Sequence, residues 1–365
     1  MYELLFVIHG MGAGERPATD ANWWTDLVTS IRGYATPLGR QADFVTSNPK
    51  SGQILIVPLT YHDTFDVLRK SWKQQTPSGT GWIPLVQQLF LTDPAMAAKM
   101  PAWAASAGSF FWTHVLDVLL YRFIPRGFTT TIRDQVALQI ETAWHKADID
   151  NDARTPVHFL AHSLGTAVLH DAICRMATFP EFGPGTHSIN SIVTLANVSS
   201  VLENGNATYG SADRTVNSPP PPVGMTQVYL SFRHELDPIA AVKAFDALTH
   251  GWPSEDYHGQ VVFDVKDWNV HGYTHYLDNP AVHFPLFNRL WPDDNVFSKL
   301  PTATAAYQAA PSTPCPQAIA QARADLRALA VPPDSAPPAE YINTIVKVFG
   351  IFSTAVKSCG LETGS

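Results

Sequence analysis

Charge is scarce in this chain: only 15% of its 365 residues are Asp, Glu, Lys or Arg, against 45% hydrophobic. The charge present sums to −8 at pH 7, which argues against nucleic acid as a partner, because phosphate backbones select basic surfaces. Cysteine is scarcer still, limited to Cys174, Cys315 and Cys359. With no C-x-x-C and no H-E-x-x-H, the histidines and cysteines lack metal-ligand spacing, and no metal site is expected. Uninterrupted apolar runs are also missing. In the Trp-rich and Phe-rich residues 66–124, Lys99, His114 and Asp117 intervene before the ~20 apolar residues a membrane-spanning helix needs. The first core strand is expected to begin within a few residues of Met1, so no cleavable leader is expected. The expected location is therefore the cytoplasm, with signal-independent export as the alternative. There are no internal repeats.

What the chain does contain is a serine at a sharp break in pattern. Val157 to Ala161 form a short β-branched and aromatic run, and Leu164 onward continues with helical spacing through Gly165, Ala167, Val168, Ala172 and Ile173. Ser163 stands between them. A nucleophilic serine needs such a strand-to-helix turn, which holds its hydroxyl out of the backbone. Strand and helix approach closely there, so the positions two before and two after must be small. They are Ala161 and Gly165, giving A-x-S-x-G.

A second glycine-rich turn lies at the N-terminus. Leu4 to Ile8 reads as a buried strand and runs into His9-Gly10-Met11-Gly12-Ala13-Gly14. Such a turn presents backbone N–H groups to an anion. A phosphate-binding loop would need a Lys-Ser/Thr pair, which is absent, and the alternating glycines miss G-x-G-x-x-G. A loop that binds an oxyanion fits better, with the amides of Met11 and Leu164 converging on the negative oxygen of a tetrahedral intermediate.

Together, His9-Gly10-Met11 and His162-Ser163-Leu164-Gly165 resemble the α/β-hydrolase superfamily, in its lipase and serine-esterase branch. The resemblance spans roughly residues 1–290 and implies an α/β fold with a mostly parallel central sheet flanked by helices. It also implies the chain order serine, acid, histidine. The strand Gln227 to Phe232 leads to Asp237, immediately before Pro238, where the family places its acid; Glu235 is the alternative. After the strand Gln260 to Val265, His271 is the first histidine and the preferred base, with His275 as its competitor at the start of a helix. The implied catalytic set is Ser163, Asp237 and His271, with Met11 and Leu164 as the oxyanion hole. His9, Gly10, His162 and Tyr61 flank these loops on the substrate side, although His9 and His162 read first as structural neighbours of the loops rather than bases. An imidazole would take the serine proton, a carboxylate would hold its tautomer, and water would hydrolyse the acyl-enzyme, so no cofactor is expected.

The implied function is hydrolysis of carboxylic esters. A thioesterase or acyltransferase with the same triad is one alternative, and a catalytically silent binding module another. Tyr34 to Asn48 reads as a connection into a strand near Ile54, and roughly ninety residues separate that strand from the nucleophile strand, far more than a crossover needs. The spacing predicts a crossover helix over Thr131 to His145, preceded by a mostly helical cap over residues 66–124. The cap's Trp, Phe and Met side chains would favour medium or long acyl groups and would suit transient contact with a membrane or lipid interface. Its bland alternative is ordinary packing on the core. Glu203 to Val223, rich in Asn, Gly, Ser and Pro, reads as a surface loop.

Residues 1–300 thus read as the catalytic domain and 301–365 as a linker and helical hairpin. Pro301 to Pro316 has linker composition, and Gln317 to Ala330 and Tyr341 to Lys357 carry helical apolar stripes. The hairpin is too small to fold alone and should dock on the catalytic domain or on a partner. Cys315 and Cys359 bracket it, so antiparallel helices would bring them together as a disulfide. Cys174 reads as a small buried apolar residue.

Overall fold

The computed structural model describes residues 1–10, 23–61, 64, 121, 126–177, 187–202, 226–237, 240, 243–247, 260–262, 265–266, 268–312, 315–333 and 338–359. In chain order these form β1 (Glu3–Ile8), α1 (Trp23–Ala35), β2 (Phe44–Val45), β3 (Ile54–Leu59), α2 (Arg126–Asn151), β4 (Val157–His162), α3 (Leu164–Met176), β5 (Ile189–Leu195) and α4 (Ser199–Leu202). They continue with β6 (Tyr229–His234), β7 (Gln260–Val262), α5 (Tyr273–Asp278), α6 (Pro280–Leu290), α7 (Leu300–Ala309), α8 (Pro316–Ala328) and α9 (Pro338–Ser358). The strands make one seven-stranded sheet in the order β2-β3-β1-β4-β5-β6-β7, and every pairing is parallel.

A parallel sheet needs crossover connections, and these place helices on its two faces. The alternation within β1 shows the consequence. Leu4, Phe6 and Ile8 enter a core shared with Ile132, Val136, Ile140 and Trp144 of α2 and with Val168 and Ala172 of α3. Leu5 and Val7 enter a second core with Leu27, Val28 and Ile31 of α1 and Phe284 and Phe287 of α6. Burial on both faces is why β1 reads as an unbroken apolar run. The fold is therefore a mixed α/β architecture, an all-parallel sheet between helical layers.

Strand order positions the site. From β1 the chain crosses to the edge strand β2 and steps back in through β3 on one side, then passes to β4 on the other and proceeds outward through β5, β6 and β7. The order reverses between β1 and β4, and in open parallel sheets ligands bind outside the carboxyl ends of the strands at such a switch. Gly10 follows β1 and Ser163 follows β4 at that end.

Two features differ from the sequence reading. Tyr34 to Asn48, read as a connection, includes the short edge strand β2, whose Phe44 is buried against Phe287 and Trp291. Within residues 301–316, read as a linker, 301–309 are helical in α7. That helix packs alongside α6, and the Nζ of Lys266 donates to the Ala310 carbonyl just past its end at 2.9 Å. Alanine-rich composition suits helix as readily as linker once a neighbour supplies packing.

The helices α8 and α9 pack on each other as a hairpin, and Cys315 is bonded to Cys359 with Cα atoms 5.7 Å apart. Ile345 and Val348 of α9 enter the α2–α3 core, so the hairpin docks on the rest of the chain. Among the described residues no helix is long and apolar enough to cross a membrane. The cap over 66–124, apart from Tyr121, lies outside the described residues, as does the loop over 203–223.

Candidate active site

Ser163 occupies backbone that non-glycine residues rarely adopt, with φ 55° and ψ −131°. Such a conformation costs on the order of 1–3 kcal/mol and persists only where surrounding structure enforces it. Here three hydrogen bonds do so. The Ser163 amide donates to the Leu195 carbonyl of β5 at 3.0 Å, and its carbonyl accepts from the amide and hydroxyl of Thr166 at 2.9 and 2.7 Å. Thr166 is held in turn by a buried polar network. Its Oγ1 accepts from the Val198 amide at 3.2 Å, and Ser199, His170, Tyr229 and Asn197 continue the chain of bonds behind α3.

The small neighbours have a direct steric cause. A Cβ on Gly165 would lie 2.8 Å from the Ile8 carbonyl oxygen, so any larger residue would push α3 away from β1. A Cβ on Gly10 would lie 2.4 Å from Ser163 Cβ and 2.9 Å from the Leu164 amide. Gly10 thus passes against Ser163, and the Leu164 N–H borders the same space. Leu164 is the first residue of α3, where an amide has no intrahelical acceptor and the helix dipole favours negative charge. Met11, assigned the other oxyanion amide from sequence, lies outside the described residues.

His271 and Asp237 complete a relay. The Ser163 hydroxyl donates to His271 Nε2 at 2.8 Å, and His271 Nδ1 donates to both carboxylate oxygens of Asp237 at 2.9 Å. All three side chains are buried. Asp237 also accepts from the Ala240 amide at 3.0 Å and from the Tyr276 hydroxyl at 2.8 Å, so its buried charge is well solvated by donors. The two alternatives point elsewhere. Glu235 pairs with Arg323 of α8, and the His275 ring packs edge-on against His234 at 5.1 Å.

Tyr276 is a site residue that sequence reading misses. Its hydroxyl accepts from the His234 amide at 2.8 Å while donating to Asp237. Burial, and then the Asp237 charge, push its phenol well above the ordinary tyrosine range, so it remains a donor. The available signal was only that a buried tyrosine needs a partner; nothing local shows that the partner is Asp237. Tyr276→Phe would remove the acceptor of the His234 amide bond and a donor from a buried carboxylate. We expect it to lower stability by about 1–3 kcal/mol, read from the midpoint of denaturant unfolding; an unchanged midpoint would show that the hydroxyl is not needed.

Three residues expected on the substrate side act as braces. Tyr61 is fully buried, and its hydroxyl donates to the His9 carbonyl at 2.7 Å, tying β3 to the turn after β1. His162 Nε2 donates to the His271 carbonyl at 2.6 Å, so the residue before the serine holds the backbone of the imidazole. His9 Nδ1 bonds to the Gly10 carbonyl within its own turn, and its ring stands edge-on to Tyr273. Among the described residues no three His, Cys, Asp or Glu side chains converge as metal ligands would. Comparison of the chain with protein-family models, curated proteins and solved structures returns no match.

Proposed function

We propose that the protein is a serine hydrolase of carboxylic esters with an α/β-hydrolase fold, acting through an acyl-enzyme on Ser163. One observation carries this reading: the unbroken relay from Asp237 through His271 to a serine held at positive φ at the start of a helix. In this mechanism His271 takes the hydroxyl proton as Ser163 attacks the ester carbonyl, and Asp237 holds the tautomer and stabilises the imidazolium. The Leu164 amide, with that of Met11, receives the developing oxyanion, a contribution of ~10²–10³ in rate per donor. The imidazolium then protonates the leaving alkoxide, and the same imidazole activates water to release the acid.

The acyl group is proposed to be of medium or long chain, on the strength of the Trp, Phe and Met residues over 66–124. A fluorophosphonate should label Ser163, identified by peptide mass, and a p-nitrophenyl ester series should peak beyond butyrate. Failure to label would remove the enzyme reading. Best turnover of acetate, with octanoate excluded, would remove only the chain-length part.

A further inference from the structure

The residues that immediately precede the catalytic acid and base are both seated on the C-terminal hairpin. Leu236, next to Asp237, and Val270, next to His271, are 2% and 1% exposed. With Val265 they share a small apolar core with Ile319 and Ala322 of α8 and Ala355 of α9. Trp268 of the base loop packs edge-on against Phe352 of α9, ring centroids 5.8 Å apart. On the acid loop, Glu235 forms an ion pair with Arg323 of α8, and Arg327 one turn further along lies within 3.8 Å of the same carboxylate. The Cys315–Cys359 bond joins the start of α8 to the end of α9.

This arrangement answers a geometric need. Ser163 is held by the sheet itself, through β4, β5 and the start of α3. Asp237 and His271 come from two separate loops, and their 2.9 Å contact depends on how those loops are placed relative to each other. One body that grips both loops at the adjacent residue fixes that distance. Misplacement of reacting groups by ~1 Å can cost ~10²-fold in rate.

We propose that the hairpin of α8 and α9, closed by its disulfide, is a positioning element of the catalytic centre, with Arg323 setting the acid loop through Glu235. The proposal rests on the reading of Ser163, His271 and Asp237 as catalytic. Arg323 touches no reacting atom; it acts through the backbone of the Glu235–Asp237 turn. A role confined to stability would lower the melting temperature and leave turnover by the folded protein unchanged. A positioning role lowers kcat and the rate of nucleophile labelling together.

The test uses the full-length chain. Arg323→Ala, Arg323→Lys, the charge swap Glu235→Arg with Arg323→Glu, and the pair Cys315→Ser with Cys359→Ser are compared with the unaltered protein, well below every melting temperature. The readouts are kcat and KM on a p-nitrophenyl ester and the rate of fluorophosphonate labelling at Ser163. Arg323→Ala should lower kcat and the labelling rate ~10-fold with KM nearly unchanged, and lysine or the charge swap should restore much of the loss. The double cysteine variant, and mild reduction of the folded protein, should move the same two quantities in the same direction. Wild-type kcat and labelling in both Arg323→Ala and the double cysteine variant would overturn the proposal, whatever happens to the melting temperature. A fully folded unaltered protein that neither labels nor turns over ester would instead overturn the catalytic reading, and this proposal with it.

Discussion

Ser163→Ala is expected to lower kcat by ~10⁴–10⁶ while leaving the fold intact, because in the proposed mechanism the acyl group is carried on the Ser163 oxygen. Alanine removes one oxygen and keeps the Cβ, so the backbone bonds to Leu195 and Thr166 that enforce the unusual φ are untouched. Residual turnover would come from the oxyanion donors and from binding alone. Ester kinetics on a preparation whose circular dichroism matches the unaltered protein decide it. Retention of more than a few per cent of activity would place the nucleophile elsewhere.

His271→Ala should cost nearly as much, since serine and imidazole act as one unit and their losses do not add. It removes the proton acceptor 2.8 Å from Ser163 Oγ and leaves the Asp237 carboxylate without its main partner. His275→Ala should cost far less in kcat. Its ring lies buried beside His234 and Tyr276, so the loss falls chiefly on stability, by about 1–2 kcal/mol. Steady-state kinetics and thermal unfolding of the two variants side by side give a clear sign. A larger kcat loss in His275→Ala than in His271→Ala would reverse the assignment.

Much of the framework was legible because it is written locally. The apolar runs at β1 and β4 show in sequence because both faces of a parallel strand are buried, and the stripe Ile132, Val136, Ile140 and Trp144 shows at helical spacing. The turn at Ser163 was legible from Ala161 and Gly165, and the need for Gly165 follows from the Ile8 carbonyl 2.8 Å from any Cβ placed there. The edge strand β2 was not legible: two residues carry no periodicity, and Phe44 is recruited by Phe287 and Trp291 from far along the chain. The helical state of α7 was likewise hidden, because composition alone does not distinguish a linker from a helix that finds a partner.

The site divides in the same way. Residue types and their order came from sequence: a serine between small residues, a carboxylate before proline, histidines after the last strand. Which of these meet was decided by tertiary structure. Glu235 and Asp237 stand two residues apart, yet one carboxylate turns outward to Arg323 and the other inward to His271. His271 and His275 stand four apart, but the chain is extended at Gly272, at φ −64° and ψ 137°, before α5 begins, so only the first reaches Ser163. The hydroxyl of Tyr276 on Asp237, the His162 grip on the His271 carbonyl and the hairpin seated beside the loops of Asp237 and His271 share one cause. Each is a contact between segments distant in sequence, with at least one partner side chain that several neighbours could satisfy, and the choice among those neighbours is made only when sheet, helices and hairpin pack together.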